Sequence, residues 1–301
     1  MIISFERVSK SMHQRTLYYL LQVSLVVSCH AASLKLVQDQ EAQTISVQRL
    51  NSQKPLLVQN ARSDHRPYLH PIVAPDGNGV LTQYSPGHHK HQTGVYWGFT
   101  RVNGRDFFHN PSNGYWQLQK AEILAGEGEV VQWETIYHLL DEEGESMMEE
   151  SQVWSMRDTG NEYLVDLVWT GTAHTEVTIS EYKYGGLFVR MPWLQGKEGE
   201  VENSARQKNQ RAEQKRSSWV NIGMQIDGRT PEDWGHIAVF DHPSNDAYPT
   251  PWRVDGQLGA GPSEAILGDW TIPAGESKTY KHQFVVYTGQ MNDVRLNEQW
   301  K

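Results

Sequence analysis

Three histidines with the capacity for acid–base or metal chemistry, His88, His89 and His91, lie within four positions of one another. Turn-forming residues precede them in Ser85-Pro86-Gly87, and an aromatic segment, residues 95–102, follows. Imidazole changes charge near neutral pH and also binds metal ions, so the cluster is suited to proton transfer or to metal binding. We expect it on a loop or strand end, where a rigid scaffold usually presents functional side chains.

The spacing of His89 and His91 would place both rings on one side of an extended segment. We predict that the two rings face a common pocket and that His70 lies within reach of it. The pair could bind a divalent metal ion, with a third ligand from His70, Asp241 or His242. Alternatively, one ring could act as acid or base while the other binds a substrate oxygen. A third interpretation is a polar loop whose histidines pair only with backbone or water.

The elements that must position this cluster are predicted to be β-strands. Apolar and polar residues alternate over many segments, and groups of Gly, Asp and Asn separate these segments. The predicted strands cover residues 44–47, 95–102, 118–124, 130–139, 151–156, 163–169, 175–184, 218–227, 235–240, 266–272 and 279–287. Asn103-Gly104 predicts a hairpin after the aromatic segment, and Pro273-Ala274-Gly275-Glu276 predicts a terminal hairpin. The sequence thus predicts one all-β domain over residues 33–301, an antiparallel β-sandwich with little helix.

Residues 196–217 break this pattern, because they are strongly charged and nearly without apolar side chains. We expect a solvated loop or a short exposed helix there, which proteases would cut before any strand. Within the segment, Arg206, Arg211 and Arg216 are candidate contacts for an anionic ligand.

The composition argues against one class of partner. The 301 residues carry a formal net charge of −9, and no basic run stands outside residues 196–217, so nucleic acid is not expected as a partner. Trp and Tyr are numerous, at 11 and 13 residues, and some of these rings are candidates for stacking on sugars.

Residues 1–32 have the pattern of an export signal, with a charged start, an apolar run over residues 16–27 and small residues after it. The run is too short to span a bilayer, so no transmembrane span is expected. Cleavage after Ala31 would give a secreted or periplasmic protein. Alternatively, Val26-Val27-Ser28-Cys29 is a lipobox, and Cys29, the single cysteine, carries a lipid anchor. Both interpretations predict an extracytoplasmic protein.

A set of motifs extends from about residue 67 to residue 287. The motifs are His70-Pro71, Pro75-x-Gly77, Pro86, Gly94, Val102-Asn103-Gly104-x-Asp106-Phe107, Gly185-Gly186-Leu187, Arg190, Trp219-Val220, Ile237-Ala238-Val239-Phe240-Asp241-His242-Pro243, Asn245, Pro249-Thr250 and Trp252. Together they resemble the PmoA-like family of secreted bacterial proteins, whose name comes from a methane oxygenase subunit. The resemblance implies a sandwich similar to the galactose-mutarotase-like supersandwich, whose members mostly act on carbohydrates.

The histidine cluster departs from that family's pattern, Asp-His-Pro-His-His-Arg-Gly. His88 replaces the Asp, Gln92 replaces the second His of the pair, and Thr93 replaces the Arg. His89 and His91 match the pattern, so the resemblance places the site on these two residues.

We expect an extracytoplasmic carbohydrate-active enzyme, namely a hydrolase, a lyase or an epimerase acting on a glycan. His89 or His91 would act as general acid or base with His70 as its partner, and a divalent metal, if one is bound, would be held by His89 and His91. The expected substrate-binding residues are Arg190, Trp97, Asp241 and His242.

Two other functions fit parts of the sequence. A non-catalytic carbohydrate-binding module would use Trp97, Trp116 and Trp252 as stacking surfaces, but it has no need of a histidine cluster. A metal-dependent oxygenase, as the family name suggests, needs a facial set of ligands, for which His89 and His91 have the spacing.

Overall fold

Two large antiparallel sheets, of nine and eight strands, pack face to face as a β-sandwich. The computed structural model describes residues 33–87, 89–194 and 196–298. The predicted fold class, all-β and antiparallel with little helix, is confirmed for this part of the chain. The predicted signal segment and its Cys29 lie outside the described residues. Within the described ranges, no helix has the length and apolar character needed to cross a membrane.

The strands divide between the sheets as follows. The nine-stranded sheet contains β1 (Leu34–Asp39), β2 (Thr44–Arg49), β3 (Pro55–Asn60), β4 (Tyr68–Ile72), β5 (Val95–Gly98), β7 (Glu127–Gly128), β12 (Gly186–Arg190), β16 (Trp252–Val254) and β17 (Gly259–Pro262). The eight-stranded sheet contains β6 (Trp116–Ala125), β8 (Val130–Leu140), β9 (Ser146–Asp158), β10 (Glu162–Ala173), β13 (Gly199–Asn203), β14 (Trp219–Gln225), β15 (Trp234–Asp241) and β19 (Ser277–Gly289). A separate pair is formed by β11 (Val177–Ile179) and β18 (Trp270–Ile272), and the described helices are two 3₁₀ turns, Asn209–Arg211 and Glu264–Leu267, and α1 (Asp293–Glu298).

The core lies between the two sheets, and tryptophans fill much of it. The long strands β8, β9 and β10 alternate between buried and partly exposed residues, as strands with one covered face do. Trp133 and Trp154, on β8 and β9, stack with ring centroids 6.4 Å apart. Trp169 on β10 stacks on Trp97 of β5 at 4.6 Å, so this pair joins the two sheets.

Polar side chains inside the sandwich satisfy two of these indole groups, those of Trp154 and Trp169. Nε1 of Trp169 donates a hydrogen bond to Glu150 Oε2 at 2.8 Å, and Nε1 of Trp154 donates to Gln152 Oε1 at 3.1 Å. Nε2 of Gln152 in turn donates to Glu150 Oε1 at 2.7 Å. A buried donor left without a partner costs about 1–3 kcal/mol, which explains why two polar residues face inward on β9.

Most predicted strands are confirmed, and two predicted strands are mostly absent. Residues 175–184 form only the short β11, and residues 266–272 divide between a 3₁₀ turn and β18. β18 pairs with β11, whereas β19 lies between β10 and β15. The predicted terminal hairpin is therefore wrong, because the turn at 273–276 connects strands of different sheets.

The turn at Asn103-Gly104 is confirmed, although the strand before it is shorter than predicted. Val102 and Arg105 exchange both backbone hydrogen bonds, at 2.8 and 2.9 Å. Asn103 and Gly104 have φ of 48° and 87°, the left-handed conformation that a two-residue hairpin turn requires. β5 itself ends at Gly98.

The charged segment, residues 196–217, matches the expectation of a solvated loop or short exposed helix only in part: it includes the exposed 3₁₀ turn Asn209–Arg211, but it is also tied to the sheet. It contains β13, an edge strand paired with β14. Asn203 is fully buried, and its side chain accepts backbone hydrogen bonds from Ala205 and Gln207. Arg216 donates to the carbonyl oxygens of Ala247 and Pro249. Backbone pairing and side-chain hydrogen bonds replace the apolar burial that the composition lacks.

Candidate functional site

A pocket of about 430 Å³ opens on the outer side of the nine-stranded sheet. Phe188 on β12 forms part of its floor, and turns before and after neighbouring strands form the rest. The lining residues are His89, His91, Gln92, Phe108, His109, Tyr184, Phe188, Trp193, Arg253, Asp255, Gly256 and Gln257. The volume lies in the range of small-molecule sites, roughly 300–1,000 Å³.

His89 and His91 both line this pocket, with ring centroids 5.7 Å apart. The common pocket is as predicted, but the geometry that we gave for it is wrong. The backbone is a turn rather than an extended segment: the N–H of His89 donates to Pro86, and the N–H of Gln92 donates to His89. A hydrogen bond of 2.7 Å from the Ser85 N–H to the Gln92 carbonyl closes the turn. The turn directs both rings to one side. His88 lies outside the described residues.

A buried arginine holds this turn against the next loop. The guanidinium of Arg66 donates to the carbonyl oxygens of His91 and Phe108, and it lies 3.7 Å from the centroid of the Tyr96 ring. Burial lowers the pKa of Arg66 to about 10, so the group stays cationic at neutral pH. Charged hydrogen bonds of this kind are stronger than neutral ones, and they fix the distance between the histidine turn and Phe108.

Gly94 allows the turn to lie directly on β4. A Cβ at this position would stand 2.3 Å from the carbonyl oxygen of Leu69, and φ of 84° is in the left-handed region. The carbonyl of Gly94 also accepts a hydrogen bond at 2.8 Å from the backbone N–H of Arg190 on β12. The glycine that matched the family motif is thus required by a close backbone contact.

A hydrogen-bonded series of three side chains, Asp106, His109 and Tyr184, leads to the pocket. Oδ2 of Asp106 lies 2.7 Å from Nδ1 of His109, and Nε2 of His109 lies 3.2 Å from the Tyr184 hydroxyl. Asp106 also accepts the backbone N–H groups of Phe108 and His109 at 3.0 and 2.9 Å. Burial opposes ionisation of Asp106, but the bonds from His109 and Phe108 outweigh it and hold the pKa below its usual value.

His91 is held in its neutral form. Burial, assisted by the neighbouring His109 and Arg66, lowers its pKa to about 3. The His91 and His109 rings lie only 4.5 Å apart, so two positive charges there would repel. At neutral pH His91 can therefore donate or accept a hydrogen bond, but it cannot supply the proton of an imidazolium.

Aromatic surfaces form the pocket walls, and the side chain of Gln92 adds a polar atom to the lining. Phe108 and Phe188 contact each other edge to face, while Trp193 at the rim is 37% exposed. The buried Oε1 of Gln92 has no hydrogen-bond partner within the part of the chain that the structure describes. A bound ligand with a donor group would satisfy this oxygen.

Two arginine–carboxylate pairs form the polar end of the pocket. Arg253 donates to Glu213 and lies 5.4 Å from the centroid of the Tyr184 ring. Arg190 is fully buried and donates to Asp255 Oδ2 at 3.2 Å, while Asp255 itself lines the pocket. Glu213 belongs to the charged segment, so that segment supports the pocket.

Besides Trp97, which is a core residue, four residues predicted for the site lie elsewhere or lie behind it. His70 does not line the pocket; its ring stacks on Tyr84 and its Nδ1 lies 2.9 Å from the Thr82 hydroxyl. Arg190 does not line the pocket either and acts on it through Asp255. The other two are Asp241 and His242.

Asp241 and His242 form a turn at the end of β15. Asp241 is fully buried and accepts hydrogen bonds from the Thr250 N–H and from Asn245, both at 2.7 Å. His242 is hydrogen-bonded with Ser244. Neither residue lines the pocket. Their hydrogen bonds hold the turn after β15, and the structure does not place them at the substrate contact that we expected.

The tryptophans proposed as stacking surfaces are all core residues. Trp97, Trp116 and Trp252 are 3%, 2% and 0% exposed. One face of Trp97 is covered by Trp169, so this ring has no open face for a sugar at that side. The binding-module interpretation loses its stacking residues, and among the described pocket residues Trp193 has the exposed indole.

A metal held by His89 and His91 lacks a third side-chain ligand among the described residues. Residues 33–87, 89–194 and 196–298 bring three histidine or acidic ligand atoms to within 4.8 Å of one another at a different place, His138, Glu149 and His174. The expectation of a metal in the pocket therefore remains a prediction without a ligand set.

The residues that the sequence analysis missed had weak local signals. Asp106 and His109 stand three positions apart, and the Asx-type turn that joins them could have been inferred from that spacing. Tyr184 lies 75 positions from His109, and no local pattern indicates their contact. Arg66 and Arg253 likewise act across long sequence separations.

Comparison with known proteins gives similarity at the level of architecture. The chain resembles the GH36 α-galactosidase AgaB from Geobacillus stearothermophilus with a TM-score of 0.44 and 9% identity, over 85% of this chain and 41% of that one. It resembles a galactose mutarotase related enzyme from Lactobacillus acidophilus with a TM-score of 0.38 and 7% identity, over 85% of this chain and 98% of that one. The chain thus spans less than half of the length of the α-galactosidase, and nothing about ligand or reaction follows at these values.

Comparison of sequences gives the family. A search of curated proteins finds no match. The PmoA-like name is not part of the family description that matches, so that resemblance remains a prediction from motifs. The model of DUF6807, described as a family of unknown function, matches residues 48–301, and the chain belongs to that family.

Proposed function

We propose that the pocket is the active site of an enzyme that transfers a proton to or from a hydroxyl-bearing ligand, and that this ligand is a carbohydrate. The observation that carries the proposal is the hydrogen-bonded series of Asp106, His109 and Tyr184 in the wall of the pocket. A general base needs a ring nitrogen with an available lone pair and a partner that orients the ring through its other nitrogen. His109 meets both requirements.

The proton path follows from the donors and acceptors. Asp106 accepts the Nδ1 proton of His109, which leaves Nε2 as the acceptor facing the Tyr184 hydroxyl. Burial, together with the neighbouring Tyr182, raises the pKa of Tyr184, so this residue stays a phenol. A proton of the ligand moves to Oη of Tyr184 as the phenol proton moves to Nε2 of His109. The carboxylate of Asp106 stabilises the imidazolium that forms.

The lining supports a carbohydrate ligand because it combines aromatic surfaces with hydrogen-bonding groups. Phe108, Phe188 and Trp193 offer apolar area that suits the C–H face of a sugar ring. Gln92 Oε1 accepts a hydroxyl, and Arg253 donates to hydroxyl or carboxylate oxygens. Neutral His91 adds a further hydrogen-bonding group beside the base.

Export of the protein is part of the proposal. Its support is the sequence of residues 1–32, which has a charged start, a short apolar run and small residues, with Cys29 as the lipid-anchor residue if the lipobox is used. Mass spectrometry of the mature N-terminus decides the matter: loss of at least residues 1–28 supports export, whereas an intact Met1 in the mature pool contradicts it.

A glycan panel tests the enzymatic proposal. The protein is incubated with oligosaccharides, neutral and uronate-containing, and bond cleavage or isomerisation is followed by NMR. For the glycan that reacts, we expect His109→Ala and Tyr184→Phe each to lower kcat by roughly a hundredfold, the scale of general acid–base catalysis. His242→Ala, outside the pocket, is the matched histidine control and should leave kcat unchanged.

Two results would contradict the proposal in different ways. Binding of a glycan without any covalent change would make the pocket a binding site and remove the catalytic roles of His109 and Tyr184. Turnover that survives both substitutions would place the chemistry elsewhere in the chain.

A further inference from the structure

A second group of chemically active side chains lies on the other sheet, away from the pocket. His138 on β8 and Glu149 on β9 stand on adjacent strands, and His174 directly follows β10, the next strand of the sheet. One ligand atom from each lies within 4.8 Å of the other two. We propose that these three residues bind a divalent transition metal ion, with Zn²⁺ as the best fit.

The register of the sheet produces the cluster. His138 and Glu149 are directly opposite each other in the β8–β9 pair, with Nε2 and Oε2 3.6 Å apart. His174 follows Ala173, whose partner on β9 is Met148, so its ring reaches the same part of the sheet. The His138 and His174 rings lie 5.2 Å apart and nearly perpendicular, at 87°. Ligand atoms around tetrahedral Zn²⁺ are about 3.4 Å apart, so side-chain rotation alone could close the site.

The donor types select the metal. Two imidazole nitrogens and one carboxylate oxygen suit Zn²⁺, Cu²⁺ or Ni²⁺, whereas Ca²⁺ and Mg²⁺ prefer oxygen ligands throughout. Three protein ligands leave a coordination position for water, as in open zinc sites. Ser146 supports this arrangement, because its hydroxyl lies 2.9 Å from Nδ1 of His174. When Nδ1 donates its proton to Ser146, Nε2 keeps the lone pair that a metal needs.

The backbone under the site is rigid. His138 follows the fully buried Tyr137, Glu149 follows the fully buried Met148, and His174 follows a buried alanine. His138 and Glu149 lie on strands with a neighbour on each side, and the backbone N–H of His174, just after β10, donates to the Met147 carbonyl at 2.8 Å. Binding of a metal ion therefore needs little further ordering of the backbone, and this small free-energy cost favours binding to the folded protein.

The site differs from the pocket in place and composition. The pocket residues lie along the nine-stranded sheet, whereas the three proposed ligands lie on the eight-stranded sheet. Metal binding at His138, Glu149 and His174 can therefore be measured without reference to any activity of the pocket.

Isothermal titration of tag-free, metal-depleted protein with Zn²⁺ at neutral pH tests the inference. We expect about one Zn²⁺ per chain at this site, and we expect Glu149→Gln and His174→Ala to weaken it at least about tenfold, or 1.4 kcal/mol. Glu149→Gln keeps the side-chain shape, and circular dichroism confirms that each variant is folded. His242→Ala is the histidine control and should bind Zn²⁺ as the parent does.

Three outcomes would overturn the inference. Unchanged Zn²⁺ affinity in both Glu149→Gln and His174→Ala would show that these residues are not ligands. Loss of the ion in His91→Ala alone would place the metal in the pocket. Binding of Mg²⁺ as tightly as Zn²⁺ would contradict the argument from donor types.

Discussion

Glu150 should make the stability of the protein fall as the pH rises, and the structure gives the size of the effect. Its carboxyl group is fully buried, and burial raises the pKa to about 7 against an ordinary 4.5, despite hydrogen bonds from Trp169 and Gln152 that favour the charged form. A carboxyl group whose pKa is raised in the folded state makes its full contribution to the free energy of unfolding below pH 4.5, its pKa in the unfolded chain. That contribution is lost as the pH rises through 7, its pKa in the folded protein. At 1.36 kcal/mol for each pKa unit, the loss amounts to about 3 kcal/mol, most of it between pH 5 and pH 8.

The substitution Glu150→Gln isolates this contribution. Buried histidines such as His236, whose pKa burial lowers to about 4, change the total pH dependence in the opposite direction, but they are common to both proteins. The amide loses one hydrogen-bond acceptor, and that cost is the same at both pH values. Between pH 5 and pH 8, the variant should therefore gain roughly 2–3 kcal/mol relative to the parent.

Urea unfolding followed by tryptophan fluorescence measures both free energies at each pH. Glu149→Gln, on the solvent side of the same strand, is the matched control for replacing a carboxyl group by an amide. If the difference between Glu150→Gln and the parent is constant from pH 5 to pH 8, Glu150 is ionised in the folded protein and the reasoning fails. The result also concerns the fold, because Glu150 supports the Trp169 ring that joins the two sheets through Trp97.

Three further predictions concern the site and its surroundings. The ring of His91 should stay neutral down to about pH 3 in an NMR titration, and a transition near pH 6 would show that it is not shielded as the geometry requires. Gly104→Ala should lower the free energy of unfolding by about 1 kcal/mol, since no neighbouring atom lies within 4 Å of the added carbon and only the φ of 87° opposes it. Residues 196–217 should not be the first segment that trypsin cuts in the native protein, because β13 and buried Asn203 hold them; early cleavage there would favour the original sequence-based expectation.

The long strands could be predicted because their signal is local. Burial alternates over the 11, 13 and 12 residues of β8, β9 and β10, and apolar residues fill most of the buried positions of β8 and β10. On β9 the buried Glu150 and Gln152 interrupt that signal, and only residues 151–156 of its 13 residues were predicted. The Asn103-Gly104 turn is also local, because two adjacent residues determine it. Short strands gave no such signal: β11 and β18 have three residues each, and their pairing depends on contacts about 90 positions apart.

The pocket was predicted only in part, for a related reason. The type and spacing of His89 and His91 selected them as site residues, and both line the pocket. Their orientation was argued from the alternation of side chains along an extended strand, and that argument does not apply to a turn. Arginine is expected at the surface, so a sequence gives no reason to bury Arg66 behind the histidines. Trp97 is of a residue type that often stacks on sugars. Only its packing against Trp169 shows that the ring belongs to the core.

The positions of His91 and His109 determine which of the two rings can accept a proton in the proposed mechanism. The two rings lie 4.5 Å apart, and a carboxylate lies beside only one of them, with Asp106 Oδ2 2.7 Å from His109 Nδ1. In the mechanism that we propose, a proton taken from the ligand would therefore go to His109, beside the negative charge of Asp106, and not to His91, which burial keeps neutral. In that mechanism His89 and His91 would bind and orient the ligand, and the proton transfer would belong to Asp106 and His109, which the sequence analysis had not selected. Asp106→Asn separates the two contributions: it should lower kcat and leave KM nearly unchanged, whereas His91→Ala should raise KM.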